Sequence, residues 1–120
     1  MEWKALFTTA EIEQLTNNYK EQEPLKGTGK ERDFQPVVKL FDPFGAATWL
    51  LTECDDDGLA FGLCDMGFGT PELGYVSMDE IASIKLAEGV LRIEKDIAFT
   101  ATQTLSAYAS EARKDGCIKA

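Results

Sequence analysis

Ala47-Thr-Trp-Leu-Leu-Thr-Glu53, Asp55-Asp-Asp-Gly58 and Leu59-Ala-Phe-Gly-Leu-Cys-Asp-Met66 decide the fold. The outer two runs have strand length, and Asp and Gly between them supply the backbone angles of a tight reversal. Working outward, Asp42-Pro-Phe-Gly45 reverses an earlier strand over residues 36–41. Downstream, the loop Gly67-Phe-Gly-Thr-Pro71 leads into a short fourth strand over residues 73–76. Successive tight turns predict an antiparallel meander. Trp49 and Leu51 alternate with Leu50, while Phe61 and Leu63 alternate with Ala60, Cys64 and Met66. Both sheet faces are therefore expected to be at least partly covered, by helices or by a partner subunit.

Helices flank the meander. Thr8 and Glu11 form a capping box, with Phe7 and Ile12 as its hydrophobic staple. Ile12, Leu15 and Tyr19 carry the stripe to about Lys20. Ser77 and Glu80, stapled by Val76 and Ile81, start a short helix through Leu86. Leu91, Ile93 and Ile97 suggest a fifth strand with Arg92, Glu94 and Asp96 outward. Leu105, Tyr108, Ala109 and Ala112 trace a last helix that stops at Gly116. The order is α-β-β-β-β-α-β-α, one α+β domain over residues 1–120. Residues 21–33, polar and holding Pro24, Gly27 and Gly29, read as a mobile loop.

A chain of 120 residues, 44% hydrophobic and 28% charged, is long enough for one core without staples. No run reaches the ~20 apolar residues that cross a bilayer, so a cytoplasmic protein without membrane contact is expected. Cys54, Cys64 and Cys117 are odd in number and lack Cys-x-x-Cys spacing, which favours reduced thiols, with Cys64 a small buried hydrophobe. The sequence has no histidine, which excludes Ser-His-Asp and Cys-His catalysis and His-based zinc sites. No catalytic signature, metal site or cofactor motif emerges.

Charge is the unusual property. Residues 40–84 contain no Lys or Arg and hold Asp42, Glu53, Asp55, Asp56, Asp57, Asp65, Glu72, Asp79 and Glu80. Elsewhere acids and bases cancel, so the net −9 belongs to this block. Such a field favours a protein partner with a basic surface and disfavours direct nucleic-acid binding. Lys26, Lys30 and Arg32, interleaved with Glu31 and Asp33, are too few for a nucleic-acid site.

Each candidate site has a plainer reading beside it. Asp55-Asp-Asp-Gly58 resembles the opening of a calcium loop, but Met66 and Ala60 occupy the positions of its Glu and Gly, so a hairpin turn explains it better. Gly67-x-Gly69 with Gly74 resembles a phosphate cradle, but Pro71 and a strand follow instead of a helix. Asp65 and Glu72 bracket the glycine loop. Either they serve acid–base or metal chemistry, or Asp65 accepts N–H bonds from Gly67 to Gly69 to hold the loop. Lys39, inside an apolar strand, is a plausible ionic partner for Asp65 or Glu72, with Thr48 and Tyr75 completing a candidate pocket. Trp49 reads as core. Phe44 and Phe68 sit at turn or loop tips and need a cover: folding back onto the core is the first reading, partner contact the second.

Five blocks carry a resemblance: Pro36-Val-Val-Lys-Leu-Phe41, Gly45-Ala-Ala-Thr-Trp-Leu-Leu-Thr-Glu53, Gly62-Leu-Cys-Asp-Met-Gly-Phe-Gly-Thr-Pro-Glu-Leu-Gly-Tyr-Val-Ser77, Phe99-Thr100 and Leu105-Ser-Ala-Tyr-Ala109. Over residues 6–118 the chain resembles the domain of unknown function family 2958. The matching positions include Lys39, Thr48, Trp49, Asp65, Gly67, Gly69, Pro71, Glu72 and Tyr75. The resemblance implies an accessory protein of bacterial plasmids, integrative elements or phages, and it brings no catalytic residues with it.

Three functional readings follow. The first is a non-catalytic module presenting Asp55, Asp56, Asp57, Phe68 and Glu72 to a basic surface on a host defence or DNA-processing protein. The second is a small enzyme or metal-dependent ligand binder using Lys39, Asp65 and Glu72, with Thr48 or Tyr75 assisting. The third is a structural homo-oligomer that hides one sheet face.

Overall fold

In the structure, a computed structural model that describes residues 2–120, the chain turns back on itself at each of the three reversals read from the sequence. The strands are β1 (Val38–Phe41), β2 (Thr48–Cys54), β3 (Leu59–Asp65), β4 (Glu72–Ser77) and β5 (Glu94–Lys95). They form one antiparallel sheet in the order β4-β3-β2-β1-β5. The helices are α1 (Thr9–Gln22), α2 (Met78–Ser83) and α3 (Leu105–Asp115), and a 3-10 turn over Glu2–Leu6 precedes them. This is the α+β meander that the turn chemistry predicts.

Local chemistry sets the element boundaries. Thr8 Oγ1 accepts the N–H of Glu11 at 3.1 Å, and Glu11 Oε1 accepts that of Thr8 at 2.8 Å, closing the capping box at the start of α1. Ser77 Oγ accepts from Glu80 N at 3.2 Å to begin α2. Gly116 takes a left-handed conformation at φ 76° and ends α3. Asp55 Oδ1 accepts the N–H groups of Asp57 and Leu59, each at 2.9 Å, which fixes the β2–β3 turn. Those bonds are what a turn needs of Asp55, and the calcium-loop reading has no part in them.

Both faces of the sheet are covered, as the two-sided apolar pattern requires. One face packs Val38, Leu40, Trp49, Leu51 and Ala60 beneath Trp3, Leu15, Met78 and Ile81. The other packs Leu50 and Leu63 beneath Leu105, Tyr108, Ala109 and Ala112 of α3. Leu50 and Leu63 are fully buried, which contributes roughly 1.5–3 kcal/mol each.

Three expectations need correction. The fifth strand shrinks to Glu94–Lys95: Asp96 N bonds to Lys39 O, and Asp96 Oδ1 then caps Ala98 N in a turn. Ile97, assigned to that strand, is 91% exposed. Phe44 and Phe68 do not fold back, being 65% and 85% exposed, although the Arg92 guanidinium lies 5.7 Å from the Phe44 ring. Lys39 pairs with neither Asp65 nor Glu72, because its ammonium reaches Asp96 at 3.4 Å and the Ala120 carbonyl at 2.5 Å.

Candidate functional site

The β2–β3 ladder is interrupted once. Leu51 pairs with Gly62, but the next pair is Glu53 with Phe61, so Thr52 has no place in the register. Asn18 of α1 donates to the freed Thr52 carbonyl at 2.9 Å and holds the bulge. An extra residue reverses the alternation beyond it. Without the bulge, Glu53 would point with Leu51 into the core under α1 and α2. With it, Glu53 shares the α3 face with Phe61 and Tyr75.

There Glu53 lines a cavity of about 250 Å³ with Gln22, Lys26, Glu31, Phe61 and Tyr75. The residue is 3% exposed, and among the described residues its carboxylate takes no hydrogen bond or ion pair. Burial raises its pKa above the ordinary carboxylate value; Lys26 opposes this, and Glu23 and Glu31 add to it. Tyr75 and Phe61 meet edge to face at 5.1 Å.

Lys26 lines this cavity and is exposed. Its ammonium lies 5.1 Å from the Tyr75 ring centre, 5.6 Å from that of Tyr19 and 3.0 Å from Glu23 Oε2. Hydrogen bonding to Tyr75, then to Glu23, raises its pKa against burial. The Tyr19 phenol is also held up, first by Glu23, then by burial and Asp55. Lys26 is carried by the 21–33 segment, which is tied at its base: Gln22 Nε2 donates to Arg32 O at 2.7 Å, and Arg32 N donates to Gln22 Oε1 at 2.8 Å.

The sequence-derived site residues fall in three places. Asp65 is 2% exposed and accepts from Gly67 N at 2.8 Å and Ile118 N at 2.9 Å, so it joins the glycine loop to the C-terminal segment. Thr48 is its cross-strand partner. Lys39 holds the same C-terminal segment through Ala120. Glu72, exposed and paired with Cys64, projects from the opposite face. Tyr75 alone reaches the cavity around Glu53. Lys39, Thr48, Asp65, Glu72 and Tyr75 therefore do not converge. Nor do the interaction residues, because β3 puts Asp55, Asp56 and Asp57 at one end of the sheet and Phe68 and Glu72 at the other, roughly 23 Å apart. Among the described residues, no cluster of three or more His, Cys, Asp or Glu is arranged to hold a metal ion.

Residues 6–119 match the family described as protein of unknown function (DUF2958). The chain belongs to this family. No curated protein and no solved structure matches it. The match to DUF2958 takes in every residue of the cavity, and of these Glu53 and Tyr75 fall in the blocks Gly45–Glu53 and Gly62–Ser77 that carry the family likeness. Lys26 and Glu31 come from a segment that composition marks only as a loop. The available signal for the site was a glutamate at the end of an otherwise apolar strand. Among the described residues, no helix of the DUF2958 chain is long and apolar enough to cross a membrane.

Proposed function

We propose that the protein is a non-catalytic interaction module of a bacterial mobile element that binds a basic surface on a host defence or DNA-processing protein. Its acids would stand where that partner normally holds phosphate. The supporting observation is the uneven fate of the carboxylates. At the β1–β2 end, Asp42 is paired with Arg92 at 2.8 Å and Asp65 is consumed internally, leaving Glu72. At the β2–β3 end, Glu53, Asp55, Asp56 and Asp57 are joined by Asp79, because Met78 N bonds to Gly58 O at 2.7 Å. Glu23 and Glu31 enter from the 21–33 segment. Asp56, Asp57 and Asp79 take no ion pair among the described residues. Cations beside this group include Lys26 and Lys4, the latter over the Trp3 ring at 5.6 Å. A low-dielectric cavity wall behind such a rim concentrates its field.

The test uses immobilised protein and the DNA-binding fraction of a bacterial lysate. A partner retained at roughly 50 mM salt should be released near ~0.5 M, competed by duplex DNA, and lost with Asp56→Asn/Asp57→Asn/Asp79→Asn. Retention indifferent to salt, DNA and these substitutions overturns the reading.

A further inference from the structure

We infer that the Glu53 cavity is a receptor for one lysine-type ammonium of the protein partner, and that Lys26 is its built-in occupant, displaced on binding. The inference rests on the acidic-end reading above and assigns it an anchor point. Two aromatic rings and buried negative charge form the surroundings that an alkylammonium prefers, since ring faces and carboxylates both attract it and neither needs it stripped of every hydrogen bond. Around the Lys26 ammonium Tyr19 and Tyr75 supply the rings and Glu23 a direct ion pair, while the adjoining cavity adds Phe61 and Glu53, a carboxylate that among the described residues takes no hydrogen bond or ion pair. The molecule thus points to the ligand class the site takes, because one of its own ammonium groups stands against the cavity wall.

Lys26 is a replaceable occupant. The residue is exposed, its backbone is held by a bond from Lys26 N to Gln22 O at 3.1 Å, and its side chain has freedom to leave without moving that bond. When it swings out, Glu53 loses the cation that offsets its burial, and Glu31 keeps the bond it accepts from Gly27 N at 2.6 Å. A second ammonium restores the balance. Binding is therefore an exchange, and the resident cation lowers the apparent affinity by whatever its own occupancy contributes.

Nuclear magnetic resonance titration tests this with Nα-acetyl-lysine N-methylamide as probe and its norleucine counterpart as the neutral control. In Lys26→Met the probe should shift the Glu53, Phe61 and Tyr75 amides saturably, about tenfold or more tighter than in wild type. Adding Glu53→Gln to Lys26→Met should abolish the effect, and the norleucine compound should not bind. Lys26→Ala serves equally should the methionine variant fail to fold. Equal binding of the neutral compound, no tightening on removing Lys26, or indifference to Glu53→Gln each overturns the proposal. Tighter binding of free cadaverine than of the lysine amide also overturns it, because the site would then serve a small amine. Loss of probe binding with salt-sensitive protein capture intact removes only the cage. Probe binding without such capture removes only the partner reading.

Discussion

A carboxylate inside an apolar sheet opposes folding unless its charge finds a counterpart. Glu53 has none within bonding distance, and its pKa is raised chiefly by burial. A raised folded-state value means the unfolded chain gives up this proton first as pH increases. The residue's contribution is thus most favourable below the ordinary carboxylate value and is lost as pH rises through the folded one. Glu53→Gln should accordingly stabilise the protein at pH 7 by on the order of 1 kcal/mol, with the gain vanishing near pH 4. Thermal melts of both proteins across that range check this, and equal melting temperatures at pH 7 refute it. Asp65 behaves in the opposite way. It is as deeply buried but satisfied at both oxygens, by Gly67 N and Ile118 N. Asp65→Ala leaves both N–H groups without their acceptor and should cost ~3 kcal/mol in urea unfolding, while Asp65→Asn retains one acceptor and costs less. Amide exchange should quicken in the glycine loop and the C-terminal segment together, since one side chain holds both.

The bulge in β2 shows how an element acquires a property its residues do not announce. Gly62 stands across from Leu51 beside the interruption, and a Cβ there would lie 1.9 Å from the Leu50 carbonyl oxygen. Gly74, its partner on β4, has nothing within 4 Å of the same position. Gly62→Ala should therefore cost more than ~3 kcal/mol or prevent folding, whereas Gly74→Ala should cost less than ~1 kcal/mol. Equal effects in denaturant titrations would mean that the close approach does not constrain the sheet. The four main strands, α1 and α3 were legible because each boundary is written in local chemistry: the Thr8–Glu11 box, the Asp55 turn, the Gly116 cap. The bulge was not, since alternation in an apolar run reads the same with or without an extra residue. The two-residue β5 was overestimated because Leu91, Ile93 and Ile97 mimic alternation while Asp96 ends the pairing. Asp65 was legible in its role toward Gly67, but Ile118 lies 53 residues away, beyond any local signal. The cavity escaped notice because its parts come from α1, the 21–33 segment, β2, β3 and β4.

At the scale of the whole molecule, a meander separates what the sequence keeps adjacent. Consecutive turns go to opposite ends of the sheet, so one acidic block in the chain becomes two acidic regions in space; among the described residues the β1–β2 end keeps Glu72 unmatched, and the β2–β3 end keeps Asp56, Asp57 and Asp79. Asp42 at the other end is held below the ordinary carboxylate range by Arg92, so its contribution is present above that range and is lost as pH falls through the folded value. Asp42→Asn should thus lower stability at pH 7, and salt should weaken the same pair in wild type. Asp56, Asp57 and Asp79 pull the other way. Their mutual repulsion in a chain of net charge −9 opposes the folded state, and added salt screens it. The triple variant Asp56→Asn/Asp57→Asn/Asp79→Asn should melt about 3 °C higher than wild type at low ionic strength and gain less from added salt. Melts in roughly 10 mM and ~0.5 M sodium chloride separate the two ends: the triple variant should converge with wild type as the Debye length shrinks, while Asp42→Asn approaches it from below. Parallel salt responses in the two variants would mean that the charges act as a uniform cloud, and the acidic end would lose its claim to be a docking surface.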